Sequence, residues 1–273
     1  MNYNKVNDTD MIKDMDADII CFSETHLKEE DNFPIINRYS GRHTMGKKSL
    51  KTGRNIKGVS VYIKDNLDNL EFKNVVNEKG TLIITKITSK KYEYLRDIYL
   101  IACYRSNRES KYKDKDFYQN IKNHILDHKM ENIIILGDLN GRIGTENDNK
   151  KYGLPKRKSE DKTINNYGHD IITFCNETNL IIANGRFENS DCLGKCTFHC
   201  IQNGVVKKSM IDYLIISESI LTLLNEFEIG NPVLYTDHSQ IKIKLKSTRN
   251  RGYRIQRFKI SEYFLTNGRK KTV

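Results

Sequence analysis

The sequence predicts a strand-rich α/β fold, and three stretches carry that expectation. Residues 58–65 (GVSVYIKD) alternate apolar and polar side chains, the period of a half-buried strand. Residues 131–140 (ENIIILGDLN) are a short apolar run ending in polar residues, which reads as a buried strand. Residues 114–130 set Phe117, Ile121, Ile125 and Leu126 at the spacing of an amphipathic helix.

Taken in chain order, residues 9–17 (TDMIKDMDA) predict a short helix leading into a strand at 18–22 (DIICF). A loop rich in Lys, Arg and Gly follows at 41–57. The 58–65 strand joins 81–88 (TLIITKIT) and 96–104 (RDIYLIACY) in what reads as an antiparallel meander. After the helix of 114–130 and the strand of 131–140, the charged, Asn-rich stretch 145–166 reads as a long loop. Residues 170–180 predict a second helix with Asn179 near its end. Strands are expected at 180–184, 196–200, 205–217 and 240–246, with Asn203-Gly204 as a hairpin turn. The folded domain is expected over 1–246, and 247–273 as a basic tail or the start of a linker.

A chain of 273 residues suffices for one large α/β domain. The formal net charge of +11 suits a polyanionic partner, because each phosphate contact releases counterions. A coding bias toward lysine explains that charge equally well. No stretch approaches the length of a membrane span and no signal peptide precedes the fold, so neither membrane nor secretion is expected. Cys21, Cys103 and Cys175 lie in apolar segments and read as small core residues. Cys192, Cys196 and Cys200 cluster with His199 at a spacing that matches no standard zinc pattern. A reduced, intracellular setting is therefore expected.

The chemistry sits where acidic residues meet apolar runs. Glu24 follows the first strand; Asp138 and Asn140 end the 131–140 strand; Asp212 opens IDYLIIS; Asp237 and His238 precede the last strand. Asp138 and Asn140 are two residues apart, so in extended chain they share a face. If these ends converge, carboxylates crowd one cleft and need a cation, since unpaired buried charge is costly. Hard oxygen donors without a thiolate fit Mg²⁺ or Mn²⁺. Singly, each motif has an ordinary reading as a turn or a solvated strand end. Together, the parts are those of phosphodiester hydrolysis.

SETH (23–26), GDLNGRIG (137–144), SMIDYLIIS (209–217) and TDHSQI (236–241) resemble the signature segments of the endonuclease/exonuclease/phosphatase superfamily. The nearest flavour is the apurinic-like endonuclease domain of LINE-type retrotransposons, over roughly residues 5–246. The resemblance implies a four-layered α/β sandwich, two mixed sheets face to face with helices outside. It implies that Glu24 binds metal, Asp138 positions the attacking water, Asn140 contacts phosphate or water, and Asp212 orients a phosphate-contacting His238. Asp237 would be a further metal-side or leaving-group carboxylate. Tyr104 matches the tyrosine that contacts phosphate, with Asn107 just after it. Thr197 and Ser209 sit where retrotransposon endonucleases place hydroxyls near the DNA, with ordinary hairpin polarity as the equal alternative. Arg105 and Arg142 flank the site, where contact with backbone phosphate and a plain surface position are equal readings. Asp18 is expected to support the site from behind. The family begins with an Asn-bearing strand that is not recognisable here, so the first strand is expected to be missing, leaving its neighbours unpaired and the site short of a ligand.

The expected activity is metal-dependent nicking of DNA, with the chain as a possible part of a reverse-transcriptase polyprotein acting in the nucleus. Two other readings stay open: a phosphatase or phosphodiesterase on small phosphoesters, and a DNA-binding remnant without catalysis.

Overall fold

The structure, a computed structural model, describes residues 17–27, 35–46, 56–90, 96–108, 110, 113–148, 153–232, 236–246 and 257–264, the last as backbone. The helix expected at 9–17 falls, but for Ala17, outside these residues.

Two six-stranded sheets carry the fold. The first has the spatial order β12 (Leu224–Ile229), β13 (Ile241–Lys246), β14 (Arg257–Phe264), β1 (Ile19–Ser23), β3 (Val59–Lys64), β2 (Tyr39–Thr44). The second has the order β4 (Leu70–Glu78), β5 (Leu82–Ser89), β6 (Ile98–Tyr104), β7 (Asn132–Asp138), β11 (Asp212–Ile216), β8 (Ile181–Ile182). A separate hairpin joins β9 (Phe198–Gln202) to β10 (Val205–Ser209) through Asn203, whose φ of +52° suits the turn the Asn-Gly pair predicts.

The continuous apolar runs follow from burial on both sides. Along β6 and β7, Leu100, Ala102, Ile134 and Leu136 pack with Ile19, Val61 and Ile243 of the facing sheet. The alternate residues Ile101, Cys103, Ile133 and Ile135 pack with α1 (Phe117–Asp127) and α2 (Asn166–Thr178) through Phe117, Ile121, Ile171 and Phe174. A strand covered on both faces loses the alternation that marks a surface strand. Each fully buried isoleucine here contributes about 1.5–3 kcal/mol. The result is the expected α/β sandwich.

Several expectations are corrected. The meander is not one sheet: β3 pairs with β1 and β2, whereas β5 and β6 belong to the second sheet. Part of the 41–57 loop is strand β2, which starts at Tyr39 and pairs with β3. Strands β4 and β12 and the short helix α3 (Glu218–Leu221) were not expected at all. Strand β4 has no fully buried residue and is bulged between Asn74 and Val76, so its pattern is weak. The described part of 145–166 has little regular structure but is bolted inward. Arg157, nearly buried, donates to the carbonyls of Asn184, Gly144 and Glu146, and Asp148 pairs with Arg186 at 2.5 Å.

The expected unpaired edge is not found at β1, which is bonded on both sides. Residues 257–264, read from sequence as tail, form β14 between β1 and β13. It runs parallel to β1 (Ile19 opposite Ile260, Ser23 opposite Phe264) and antiparallel to β13 (Ile243 opposite Ile260). A strand bonded on both sides does not tolerate proline, which removes a ladder donor. Ser261→Pro is therefore expected to destabilise the chain by about 3 kcal/mol, read from urea denaturation midpoints. An unchanged midpoint would place 257–264 outside the sheet.

Candidate active site

The pairing registers bring the polar strand ends into one row. Strands β6 and β7 are parallel with Tyr104 opposite Asp138, and β7 and β11 are antiparallel with Asp138 opposite Asp212. Next to this row, Nδ1 of His238 lies 3.1 and 3.0 Å from the two carboxylate oxygens of Asp212. Glu24, just after β1, accepts a hydrogen bond from the Tyr104 hydroxyl across the facing sheets. Asp138, Asp212 and His238 each present a possible ligand atom within 4.8 Å of the others, and all three are buried.

Local backbone fixes these groups. Asn140 has a left-handed φ of +49°. Its N–H donates to Asp138 Oδ1 at 2.8 Å, and its Nδ2 donates to Asp138 Oδ2 at 3.0 Å and to the Arg105 carbonyl at 2.8 Å. Asn is one of the few side chains that tolerate this conformation. Glu24 also has a left-handed φ, +54°. Thr197 is fully buried, and its Oγ1 accepts from the N–H groups of Ile211 and Asp212, both at 3.1 Å. Its carbonyl accepts from Ser239 N–H at 2.7 Å, so Thr197 ties the Asp212 strand to the His238 segment. The Phe198 ring packs edge-on against the His238 ring at 4.9 Å.

The electrostatics follow from burial. Burial alone would lower the His238 pKa, but Asp212, with Asp138 and Glu24, outweighs it and holds the imidazole at about 9. Burial raises the Asp138 carboxyl well above the usual range, and the charges of Asp212 and Glu24 add to it, against the opposing effect of His238. Tyr104 is pushed up by burial and by Glu24 and Asp138, so it stays a hydroxyl donor. Because the folded His238 pKa lies above its unfolded value near 6.5, its stabilisation is complete below that pH. It is lost as pH rises through about 9. In metal-free protein this is worth on the order of 3 kcal/mol, checked by unfolding in chelator at pH 6 and pH 10. Asp212→Asn should flatten the difference.

A metal or cofactor would have to match this donor set. Crowded carboxylates outnumber the imidazolium beside them, and burial with the charges of Asp212 and Glu24 raises the Asp138 carboxyl, an excess of negative charge that a divalent cation would offset. Oxygen donors of this kind fit a hard divalent ion. All six cysteines are free thiols and none joins the metal-compatible group found among the described residues.

The remaining expected site residues stand outside the Asp138, Asp212 and His238 group. The Arg105 side chain, 4% exposed, is enclosed by aromatic rings and paired with Asp170, not presented to a ligand. Arg142 forms a two-pronged pair with Asp161 at 2.8 and 2.6 Å, and Asp161 also accepts from Met210 N–H. Both were read as phosphate contacts or surface arginines, because sequence alone does not reveal a buried carboxylate partner. Thr197 is a brace, not a surface hydroxyl. Ser209 ends β10 half-buried, its carbonyl accepting from Thr197 N–H. Asn107 is exposed. Asp237 is half-exposed; its carbonyl accepts from His199 N–H, and it lies outside the three-residue group. Asp18 precedes β1, and its carbonyl accepts from Lys64 N–H. Sequence reasoning missed Asn184, which donates to the Asp212 carbonyl and accepts from Leu214 N–H. It also missed Asn165, which caps α2 and accepts from Arg142 N–H. The only signal for Asn165 was an Asn ahead of a helical stretch.

The sequence profile described as Endonuclease/Exonuclease/phosphatase family matches residues 2–238. The chain belongs to this family. Solved structures share its sandwich at low identity. The AP endonuclease LMAP from Leishmania major is 13% identical with a TM-score of 0.60, covering 86% of this chain and 80% of that one. The 3′ phosphatase NExo from Neisseria, bound to product DNA hairpin, is 12% identical with a TM-score of 0.58, covering 86% and 91%. The endonuclease domain of TRAS1, a telomere-specific non-LTR retrotransposon, is 16% identical with a TM-score of 0.50, covering 73% and 77%. No curated protein sequence matches the chain. Members of the endonuclease/exonuclease/phosphatase family are typically metal-dependent phosphodiester hydrolases, and the buried acidic and histidine group here can hold a metal. No helix among the described residues is long and apolar enough to cross a membrane.

Proposed function

We propose that this chain is a metal-dependent endonuclease that nicks DNA, of the retrotransposon type. The carrying observation is the row of Asp138 and Asp212 on paired strands with His238 against Asp212. Glu24, with Asp237 beyond it, would hold Mg²⁺ or Mn²⁺, and the ion when bound would supply charge stabilisation at the phosphate and leaving oxygen. Asp138 accepts a proton from the attacking water, with the Asn140 amide steering it. His238, cationic at neutral pH and held by Asp212, donates to a phosphoryl oxygen as negative charge grows there. Because Nδ1 is committed to Asp212, Nε2 is the atom that faces the substrate. The Tyr104 hydroxyl keeps Glu24 in place. The net charge of +11 favours a nucleic acid over a small phosphoester. Supporting features are the sequence motifs and the folds of DNA-processing relatives.

Supercoiled-plasmid nicking tests the reading. The chain should convert supercoiled to open circular DNA with Mg²⁺ or Mn²⁺ and not in chelator. Hydrolysis of a small phosphodiester that duplex DNA fails to inhibit would favour a phosphoesterase instead. DNA binding with no cleavage would favour a non-catalytic remnant.

A further inference from the structure

Arg105 joins two sets of contacts that no catalytic step uses. Its guanidinium carbon lies 3.5 Å from the centroid of the Tyr167 ring and 4.7 Å from that of Tyr118, and Nη2 donates to Asp170 at 2.7 Å. Tyr167 and Asp170 belong to the start of α2, and Tyr118 to the start of α1. The Arg105 main chain faces the site. Its N–H donates to the Asp138 carbonyl at 2.8 Å, and its carbonyl accepts from Asn140 Nδ2 at 2.8 Å. The same turn of α2 supports the 138–142 loop directly. A Cβ on Gly141 would come within 2.8 Å of the Tyr167 backbone, and one on Gly168 within 1.9 Å of the Arg142 carbonyl. Glycine at both positions lets helix and loop touch.

We propose that Arg105 is a positioning residue for Asp138 and Asn140. Its caged side chain fixes its peptide, and that peptide fixes the loop carrying both groups. Cation–π stacking of this kind is strengthened by burial. The left-handed Asn140 persists only where its surroundings over-determine it, and Arg105 supplies one of its side-chain bonds. Lysine cannot substitute, because a compact ammonium has neither the planar face nor the fork. The activity arm of the test rests on the proposed phosphodiester hydrolysis.

The experiment compares full-length wild type, Arg105→Lys and Tyr167→Leu, by kcat and KM on plasmid DNA with Mg²⁺. It also follows hydrogen exchange at the Arg105 and Asn140 amides. Both variants should lose about tenfold to 100-fold in kcat, the order expected for a misplacement near 1 Å. KM should stay within about twofold, the mark of an interaction felt beyond ground-state binding. The two amides should exchange faster while those of β5 do not change. The double variant should be little worse than either single one, as coupled residues behave. A raised KM with unchanged kcat would make Arg105 a phosphate contact and overturn the proposal. So would unchanged exchange at both amides. If Arg105→Lys does not fold, the Tyr167→Leu result decides alone. If wild type cleaves nothing, the proposed function fails, and the exchange arm still decides the positioning role.

Discussion

Asp138→Ala is expected to lower metal-dependent nicking by about 10²- to 10⁴-fold, the range for removing a positioned proton acceptor. The same change should leave the metal-free protein as stable or more stable. Asp138 is crowded by Asp212 and Glu24 in a buried row, and its carboxyl is raised by burial and by both neighbours. Removing it relieves like-charge repulsion and a desolvated acid. Opposite directions for activity and stability separate a functional carboxylate from a structural one. Single-turnover nicking and thermal unfolding in chelator read the two quantities. Nicking retained within about tenfold, or a large fall in stability, would remove Asp138 from the role assigned to it.

His238→Ala should lower nicking by about 10²- to 10³-fold, as loss of one preorganised donor to developing charge does elsewhere. Asp212→Asn should come close to it for a different reason. With the carboxylate gone, burial lowers the imidazole pKa against only Asp138 and Glu24, and the cationic share of His238 at pH 7 falls. The alkaline limb of the pH–rate profile should then move toward lower pH. A profile unmoved by Asp212→Asn would show that the pair does not set the protonation of His238. Ala at 238 removes the group outright and should leave no limb to move.

Legibility differed by kind of information. The strands at 131–140 and 240–246 and the polar residues closing or preceding them were plain, because burial and chemistry both write short local patterns. Their convergence was an inference that needed pairing registers. Nothing in GDLN or MIDY states that Asp138 and Asp212 lie opposite each other on adjacent strands. Arg105 and Arg142 were misread for the same reason. Whether an arginine meets solvent or a carboxylate some twenty to sixty-five residues away depends on packing that composition does not encode. Thr197 looked like a surface hydroxyl in a hairpin, and only the fold turns its oxygen onto Asp212 N–H. Strand β2 hid in a basic, Gly-bearing stretch, and β14 in a basic C-terminal stretch, because backbone pairing can recruit a segment that side-chain periodicity does not announce.

The position of β14 also sets the order in which the molecule can be built. Strand β1 leaves the ribosome well before its partner β14, because Ile19 pairs with Ile260. During synthesis the second sheet, whose neighbours β4, β5, β6 and β7 follow one another closely along the chain, can assemble early. The first sheet stays split into two open-edged halves until residues 257–264 arrive. A contact of such sequence span closes slowly, since loop entropy must be overcome before the pairing rewards it. Over that interval the unpaired edges of β1 and β13 are sticky templates for other strands. Slower translation or added chaperone is therefore expected to raise the yield of folded protein.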